Sequence, residues 1–379
     1  MDIQADKNQP YPLHAIYFYP TESCNLKCIH CWIQPTHAVS QKTYDVQNKD
    51  NVSVETMAQV VQDAISLGLR HIKFTGGEPF LNLSIFEYLE RLSRYGLSFS
   101  FETNGTLLTR SMVQRLGHYN LKQISTSLDG SVPEVHDKIR RVKGSFKKAL
   151  RGIDLLIEHR IYPQVIFCLQ KLNAHDLENT IRLAHRLGVK SFEINPLAFN
   201  GDRPEAKGCE GLPVEDLIEL EQKVENEFPE HYAGMHIDLY LPPALKGIQE
   251  LSRHALGTCN IFNICGILSN GEVSICGIGR TNKAMVMGNV KQDSIARIWE
   301  EGVLFQEIRQ RIPSELGGIC GKCLFKYQCL GFCRADVLGH KQRLVDSYPL
   351  CEAVFQKGLF PQTRILRKKD LLGDHRSRL

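Results

Sequence analysis

The sequence lacks both long hydrophobic runs and a strong charge of either sign. No uncharged apolar stretch is long enough to cross a bilayer, and the first residues, MDIQADKNQPYP, are polar and unlike a signal peptide. Lysine and arginine number 46 against 42 aspartates and glutamates, and the net charge of +4 is too small to indicate a nucleic-acid partner. We therefore expect a cytoplasmic protein with no membrane partner and no nucleic-acid partner.

Cysteine, by contrast, is abundant, because the chain of 379 residues contains thirteen. In a cytosolic protein, cysteines are metal ligands or redox groups more often than disulfide partners. Three lie within residues 24–31, three within 259–276 and five within 320–351, and only Cys168 and Cys209 stand alone. The clustering predicts metal sites. Since the length exceeds one typical domain, we expect a large catalytic domain and a smaller one.

The first 200 residues alternate short β-rich runs with amphipathic helical runs. Such alternation predicts a parallel sheet covered by helices, either a barrel or a doubly wound sheet. Candidate functional residues follow successive strands. This favours a partial (β/α)6 TIM-type barrel, because a barrel gathers its site at the C-terminal ends of its strands. The predicted strands are Ala15–Tyr19, His71–Thr75, Ser98–Thr103, Gln123–Ser127, Gln164–Leu169 and Phe192–Asn195, and the predicted helices begin after Ser53 or span Leu83–Tyr95, Arg110–Gly117, Phe146–Arg160 and Asp176–Leu187.

Composition and pattern divide the chain into five segments. Residues 32–52 form a long polar loop, which we interpret as a lid or a mobile segment. The region from Cys259 onward is cysteine-dense and loop-rich, which indicates an organisation by metal more than by an apolar core. The segments are an N-terminal tail (1–13), the barrel (14–200), a bridge (201–258) with a charged helix near 214–227, a cysteine-rich domain (259–360) and a basic tail (361–379).

The first cysteine group, Cys24, Cys28 and Cys31, has the spacing CxxxCxxC and follows the first strand. Three thiolates on a cubane leave one of its four irons without a protein ligand, and that iron can chelate an amine and a carboxylate. The alternative is a zinc knuckle, in which His30 or His37 would complete the tetrahedron. The spacing alone leaves both interpretations open.

The motifs after the following strands resemble those of the radical SAM (S-adenosylmethionine) superfamily, since the triplet is followed by the stretch Gly76, Gly77, Glu78 and Pro79. The resemblance implies that SAM binds the open iron. It implies that the backbone of this stretch and the Glu78 side chain meet the SAM amino group, with the glycines allowing close approach. It further implies a ribose side, an arginine for the SAM carboxylate, and an adenine site. The residues implied for the ribose side are Thr103, Asn104, Ser125, Ser127 and Asp129. Arg140 is implied for the SAM carboxylate, and Asn195 and Leu197 for the adenine site.

The chemistry that this resemblance implies belongs to the cofactor. An electron from the reduced cluster cleaves SAM to methionine and a 5′-deoxyadenosyl radical, which abstracts hydrogen from an unactivated C–H bond. We expect a flavodoxin- or ferredoxin-type protein to supply the electron. The chain's own part is to exclude water and to aim one substrate hydrogen at the radical.

The later cysteines form a second pattern, which resembles the SPASM domain of radical SAM peptide maturases. The resemblance implies two auxiliary [4Fe–4S] clusters, hence three [4Fe–4S] clusters in the chain, while the cysteine spacing alone also suits a zinc ribbon. If Cys265 does not bind, the first auxiliary cluster has an open iron that could hold a substrate thiolate. The implied ligands are Cys259, Cys265, Cys276 and Cys333 for the first auxiliary cluster, and Cys320, Cys323, Cys329 and Cys351 for the second.

The resemblance to SPASM proteins implies a peptide substrate, such as a ribosomal precursor peptide that is modified after translation. The sulfatase maturases of this group have an aspartate where the present chain has Gly277, which disfavours that branch. Only 23 residues precede Cys24, too few for a leader-binding winged-helix domain. We therefore expect a separate leader-recognition protein.

Three products stay open: a spliced backbone, a cross-link and an epimerised residue. The stretch Tyr17–Cys24 with Trp32 loosely resembles the spliceases, and Cys168 is the candidate hydrogen donor of an epimerase. Two other hypotheses are a small-molecule radical SAM enzyme of a cofactor pathway and a zinc-binding interaction protein. Metal analysis separates the last of these, because three cubanes carry about twelve irons, whereas the zinc protein would hold roughly three zinc ions.

Overall fold

The computed structural model describes residues 11–33, 35–38, 48, 50–197, 209–253, 259–340 and 343–366. Much of the predicted polar loop, the start of the bridge and most of the basic tail lie outside the described residues.

Ten of the described strands form one sheet, and the other two pair as a short ribbon beside it. The strands are β1 (Ala15–Phe18), β2 (Ser23–Cys24), β3 (Thr36–His37), β4 (His71–Phe74), β5 (Ser98–Thr103), β6 (Leu121–Ser127), β7 (Gln164–Leu169), β8 (Ser191–Pro196), β9 (His236–Leu239), β10 (Ile264–Ile267), β11 (Glu272–Ser274) and β12 (Val286–Asn289). The order in the large sheet is β12-β11-β10-β1-β4-β5-β6-β7-β8-β9.

The strand order confirms the predicted barrel. From β1 through β4 to β8 the strands are parallel and follow one another in chain order. A doubly wound sheet reverses its order at a switch point, and this run has no reversal. All six predicted strands are present, with ends displaced by at most two residues.

The helices of the first 200 residues follow the strands as predicted. They and the later helices are α1 (Val54–Ser66), α2 (Ile85–Ser93), α3 (Arg110–Leu116), α4 (Pro133–Arg140), α5 (Ser145–Glu158), α6 (Leu177–Leu187), α7 (Val214–Asn226), α8 (Phe228–His231), α9 (Ile248–Arg253), α10 (Ile295–Glu301), α11 (Val303–Arg311), α12 (Gly318–Lys322), α13 (Lys326–Cys329), α14 (Arg334–Gly339) and α15 (Pro349–Gln356). Ser53 caps α1 by accepting a hydrogen bond from Thr56 N at 3.0 Å. The sequence analysis missed α4, which carries Arg140.

Alternating burial along the strands separates an apolar outer face from a polar inner face. In β4, Ile72 and Phe74 belong to the core beneath the helices, whereas His71 and Lys73 lie on the opposite face. The Phe74 ring stacks on Phe101 of β5, with centroids 4.8 Å apart. The packed outer face holds the strands in place, so the inner polar side chains have fixed positions.

The region after residue 209 extends this sheet rather than standing apart from it. β9, within the expected bridge, pairs in parallel with β8, and the predicted charged helix is α7. On the other side β10 pairs in parallel with β1, and β11 and β12 continue the sheet as antiparallel strands. The cysteine-rich region is therefore joined directly to the strand that precedes the first cysteine group.

An apolar core supports the cysteine-rich region, for which the sequence indicated an organisation by metal more than by an apolar core. The Trp299 ring is 1% exposed, packs 4.8 Å from the Phe305 ring, and lies under the Arg309 guanidinium. Its indole N–H donates to Tyr11 O at 3.0 Å. Among the described residues, no helix has the length and apolar character needed to cross a membrane.

Candidate active site and auxiliary cysteine groups

The cysteine triplet lies in the loop that follows β1. Cys24 ends β2 and is buried, and its thiol accepts a hydrogen bond from Leu26 N at 3.4 Å. Burial, followed by the charges of Glu78, Cys28 and Cys31, raises the pKa of Cys24. A buried thiol whose pKa is raised in this way becomes a stable thiolate only when a cation binds it.

The glycines after β4 let their loop pack against the cysteine loop. Gly76 has a φ of +106°, and a Cβ there would lie 2.7 Å from Thr21 O. Gly77 N donates to Thr21 O at 3.0 Å, and Glu78 N donates to Ser23 O at 2.9 Å. The two glycines thus let this loop approach the backbone just before Cys24, while their close approach to SAM stays a prediction. Pro79 begins a buried helical turn.

Glu78 joins the loop after β4 to the loop after β5. Its carboxylate is fully buried and accepts hydrogen bonds from Thr103 Oγ1 at 2.7 Å, Asn104 N at 2.8 Å and Phe80 N at 3.2 Å. Burial raises the pKa of Glu78 to about 7 although these bonds lower it. The geometry gives Glu78 the role of positioning residues 103 and 104, and its direct contact with a SAM amino group stays a prediction.

Asn104 reaches from the end of β5 to the triplet. Its amide nitrogen donates to Asn25 Oδ1 at 2.9 Å and lies 3.8 Å from Cys24 Sγ. Asn25 in turn donates to Thr106 Oγ1 at 2.8 Å. Two predicted site residues, Thr103 and Asn104, are thus held against the cysteine loop.

Arg140 lies beside the triplet and is held there by Asp129. Its Nη2 forms a buried ion pair with Asp129 Oδ2 at 2.7 Å, and its Nη1 donates to Cys28 Sγ at 3.4 Å. Asp129 Oδ1 also accepts from Cys168 N at 2.9 Å. Burial by itself would raise the pKa of Asp129. The charges of Arg140 and then His30 lower this pKa by more, so it lies below its usual value. The predicted arginine is present at the cluster end of the barrel, and its pairing with a SAM carboxylate stays a prediction.

A row of hydrogen bonds crosses the inner face from β6 to β8. Ser125 Oγ donates to Gln164 Oε1 at 2.8 Å, Gln164 Nε2 donates to Glu193 Oε2 at 3.0 Å, and Asn195 Nδ2 donates to Glu193 Oε1 at 2.8 Å. Within the described residues the buried Asn195 Oδ1 has no partner, which leaves an acceptor for a bound molecule. Ser127 ends β6, and Leu197 N extends the β7–β8 pairing by donating to Leu169 O at 2.9 Å.

Sequence reasoning missed the ion pair on the same face. Lys73 Nζ of β4 pairs with Glu102 of β5, and it lies 4.8 Å from the centre of the Tyr17 ring on β1. The alternation of these residues with buried Ile72 and Phe101 could have indicated an inward position. They were missed because strand residues of one barrel layer are far apart in sequence.

The second predicted auxiliary group is gathered around one cavity. Its four cysteines line the cavity together with Pro242, Ala244, Ile319, Lys326, Gly331 and Phe360. Backbone N–H groups point at the sulfurs, since Phe325 N donates to Cys323 Sγ at 3.4 Å and Tyr348 N to Cys320 Sγ at 3.3 Å. A hydrogen bond with Cys351 lowers the pKa of Cys320 to about 6. These cysteines are Cys320, Cys323, Cys329 and Cys351.

The first predicted auxiliary group is brought together only in part. Burial, then the charges of Cys259 and Cys276, raises the pKa of Cys333, so these three thiols are neighbours. Cys265 is different: it is fully buried, and burial alone raises its pKa to about 12. A Cβ built on the next residue, Gly266, would lie 2.5 Å from the carbonyl carbon of Cys276. Since neighbours in a strand point to opposite faces, Cys265 faces away from the other three.

The donor set of these sites fits iron–sulfur clusters better than zinc. Among the described residues, no three His, Cys, Asp or Glu side chains are arranged to hold a single metal ion. Cysteine-only groups whose sulfurs accept N–H hydrogen bonds are typical of iron–sulfur clusters. The triplet fits a cluster with an open iron, beside Asn104 and Arg140.

Comparison with known proteins agrees with this geometry. The sequence model of the radical SAM superfamily matches residues 18–184, and that of the SPASM iron–sulfur cluster-binding domain matches residues 259–324. The chain is a radical SAM enzyme with a SPASM domain. Its tail, bridge and domain boundaries beyond the matched residues stay predictions.

Individual relatives of this radical SAM/SPASM enzyme have different names. The AdoMet-dependent heme synthase of Methanosarcina barkeri is 26% identical over 345 residues, which cover 87% of this chain and 94% of the relative. The antilisterial bacteriocin subtilosin biosynthesis protein AlbA of Bacillus subtilis is 27% identical over 336 residues, covering 84% and 68%. The structure of Streptococcus suis SuiB bound to its precursor peptide SuiA matches with a TM-score of 0.70 at 16% identity, covering 90% and 76%. The last likeness shows the fold.

Membership of this group assigns cofactors to the thiol groups. A radical SAM domain binds SAM and a [4Fe–4S] cluster, and a SPASM domain binds auxiliary clusters. The hypothesis of a zinc-binding protein without enzymatic activity is therefore wrong.

Proposed function

We propose that this radical SAM/SPASM enzyme modifies a ribosomal precursor peptide after removing one of its hydrogen atoms. The observation that carries the proposal is the open sheet. Its edge strands, β9 and β12, stand at opposite ends of the strand order. A sheet with two separate edges leaves the inner face open from the side, so an extended chain can cross the site instead of entering a closed pore.

The polar inner face supports a peptide as the substrate. Every peptide unit carries one donor and one acceptor that need partners when they are buried. Polar groups of several strands lie on this face. Lys73 pairs with Glu102 and Gln164 with Glu193, and Asn195 Oδ1 has no hydrogen-bond partner among the described residues. It can therefore hold a peptide without leaving its amides unsatisfied.

Two of the relatives support the same substrate class. AlbA takes part in the biosynthesis of a bacteriocin, and SuiB binds a precursor peptide. We extend both properties to the present chain as part of the proposal. SAM bound at the triplet supplies the 5′-deoxyadenosyl radical, and three sites holding one [4Fe–4S] cluster each complete the proposed cofactor set.

The chain's own residues have positioning roles in this proposal. Asp129 and Arg140 hold the loop of Cys28, and Glu78 holds Asn104 against Cys24. These buried contacts fix the ligand loops before substrate arrives, which is what aiming one hydrogen atom requires. A spliced backbone, a cross-link and an epimerised residue all begin with the same abstraction.

A small-molecule substrate is the second candidate, favoured by one observation. The heme synthase of M. barkeri aligns over 94% of its own length, more than AlbA does. A tetrapyrrole carries carboxylates, and Lys73 on the inner face could pair with one. The two candidates differ in the substrate and share the radical chemistry.

Mass spectrometry separates the candidates. The anaerobically reconstituted enzyme is incubated with SAM, dithionite and either the precursor peptide encoded nearby or iron coproporphyrin. We expect a mass change in the peptide, dependent on SAM and absent from Cys28→Ala. A mass change in the porphyrin with an unchanged peptide would favour the second candidate and contradict the first.

The proposed partners are tested separately. We propose that a distinct protein recognises the leader of the peptide and that a flavodoxin- or ferredoxin-type protein delivers the electron. A titration of the labelled leader against the enzyme alone should show weak binding that tightens when the recognition protein is added. Tight binding to the enzyme alone would contradict a separate recognition protein.

A further inference from the structure

A buried arginine lies between the two auxiliary cysteine groups. Arg334 directly follows Cys333, begins α14 and is fully buried. Its Nη1 donates to Leu344 O at 3.0 Å and to Asp346 O at 2.7 Å, and its Nη2 donates to Gly331 O. All three acceptors are neutral carbonyls, and within the described part of the chain Nε has no partner. The Asp346 carboxylate is close enough to interact with the Arg334 charge, but it forms its ion pair with Arg343. Among the described residues the buried guanidinium thus forms no ion pair of its own.

The loop around this guanidinium is held in an unfavourable conformation. Leu330, Gly331 and Phe332 have φ values of +56°, +77° and +59°. A left-handed conformation is unfavourable for residues other than glycine, such as Leu330 and Phe332. A Cβ on Gly331 would lie 2.7 Å from the Arg334 Cζ, so only glycine lets the loop close over the side chain. Such strain persists where the surroundings fix the backbone.

The strained loop connects the two thiol groups. It begins after Cys329, which lines the cavity of the second group, and ends at Cys333, which neighbours Cys259 and Cys276 of the first. Phe332 holds the middle of the loop, with its ring 4.8 Å from Tyr240 and 4.9 Å from Tyr348. A side chain that holds this loop in place, as Arg334 does, therefore affects both groups at once.

The two thiol groups lie on either side of this arginine. Arg334 Nη2 donates to the carbonyl of Gly331, and Gly331 lines the cavity of the second group together with its four cysteines. Arg334 also directly follows Cys333 of the first group in the chain. The guanidinium is therefore near the negatively charged ligands of both groups, in a buried site with little water to screen the charge.

From this geometry we infer that Arg334 is a shared countercharge and positioning residue for both auxiliary clusters. It neutralises part of their negative charge and fixes the loop between their ligands. A positive charge favours the reduced, more negative form of a cluster, and so raises its reduction potential. The inference rests on the auxiliary clusters and not on the identity of the substrate.

A redox titration followed by electron paramagnetic resonance tests the inference on the reconstituted full chain without substrate. In Arg334→Gln we expect the midpoint potentials of both auxiliary clusters to shift to more negative values. The potential of the cluster at Cys24, Cys28 and Cys31 should stay in place. The matched control is Arg343→Gln, which removes an 81% exposed arginine from the same region and should leave all potentials unchanged.

A second variant, Arg334→Lys, keeps the inference testable if Arg334→Gln loses its auxiliary clusters. Arg334→Lys keeps the charge, and we expect it to retain iron near the wild-type content with auxiliary potentials closer to wild type than those of the glutamine variant. Unchanged potentials in a fully loaded Arg334→Gln would overturn the inference. So would a lysine variant that loses as much iron as the glutamine variant, because charge would then not be the decisive property. Neither outcome depends on whether the substrate is a peptide.

Discussion

The hydroxyl of Tyr19 occupies the space that a side chain at position 277 would fill. A Cβ built on Gly277 overlaps the Tyr19 hydroxyl and lies 2.9 Å from the Trp32 ring. The other edge of the Tyr19 ring faces Gly76, whose Cβ would lie 2.9 Å from Tyr19 Cγ. Tyr19 is 1% exposed and thus lies wedged between the loop after β4 and the residue after Cys276. It joins the SAM side of the site to the first auxiliary group.

Gly277→Ala should destabilise the chain by about 1–3 kcal/mol, since the methyl group must displace the buried Tyr19 ring. Chemical unfolding of the chain measures the change. The control is Gly211→Ala, because among the described residues a Cβ at Gly211 comes no closer than 3.8 Å to another group. Adding Tyr19→Leu to Gly277→Ala should restore part of the loss, and strict additivity of the two changes would contradict this contact.

Cys265→Ala should retain the iron of the first auxiliary cluster, whereas Cys276→Ala should lose it. Cys265 points to the face of β10 opposite Cys276, where its strand partner Ile16 is also buried, so we expect its removal to take away no ligand. Iron analysis after anaerobic reconstitution measures the difference, which we expect to be up to about four irons per chain. Equal iron loss in both variants would show that Cys265 is a ligand after all.

Glu221→Gln should stabilise the chain at pH 8 and have little effect at pH 4.5. Glu221 is 3% exposed, and within the described residues neither of its carboxylate oxygens has a hydrogen-bond partner. Burial raises its pKa to about 7 although Lys246 lowers it. Because folding raises the pKa of Glu221, the contribution of this group to stability is fully present below about pH 4.5. That contribution is lost as the pH rises through about 7.

The size of that loss is on the order of 3 kcal/mol for a pKa raised by roughly 2.5. Unfolding at pH 4.5 and pH 8 measures it. Glu219→Gln on the same helix is the control, because its side chain is 70% exposed and pairs only at the surface with Lys223. An effect of Glu221→Gln that does not depend on pH would contradict the assignment.

Asp129→Asn should cost about 3–5 kcal/mol, because it leaves the buried Arg140 without its anion. The ion pair of Arg110 and Glu158 has the same length of 2.7 Å but is exposed on both sides. Glu158→Gln should therefore change the stability by less than about 1 kcal/mol. Chemical unfolding of both variants without iron measures the difference. Equal losses of stability would show that the buried ion pair contributes no more than the exposed one.

The sequence predicted the barrel well because alternation and chain order follow from local patterns. It placed β5 and β7 without error and found the Ser53 cap. It also identified the residues that meet at the triplet, since each follows a strand end and carries a recognisable motif. Where a strand ends is a local property, and a parallel barrel converts it into proximity.

What the sequence did not predict depends on pairing between distant strands. β10 joins β1, and β9 joins β8, although more than 200 residues separate the first pair. The orientation of Cys265 follows from that pairing and not from its spacing to other cysteines. Lys73 and Glu102 meet for the same reason, and Arg334 is found only once the loop of Cys329 and Cys333 is folded around it.

Metal analysis of the anaerobically reconstituted chain measures whether the three thiol groups hold iron–sulfur clusters. We expect a brown protein with about twelve irons per chain and matching sulfide, four per cubane. We also expect a loss of about four irons in each of Cys28→Ala, Cys276→Ala and Cys320→Ala, one variant for each thiol group. A colourless protein that holds about three zinc ions, or one whose iron content is unchanged by these substitutions, would contradict this expectation.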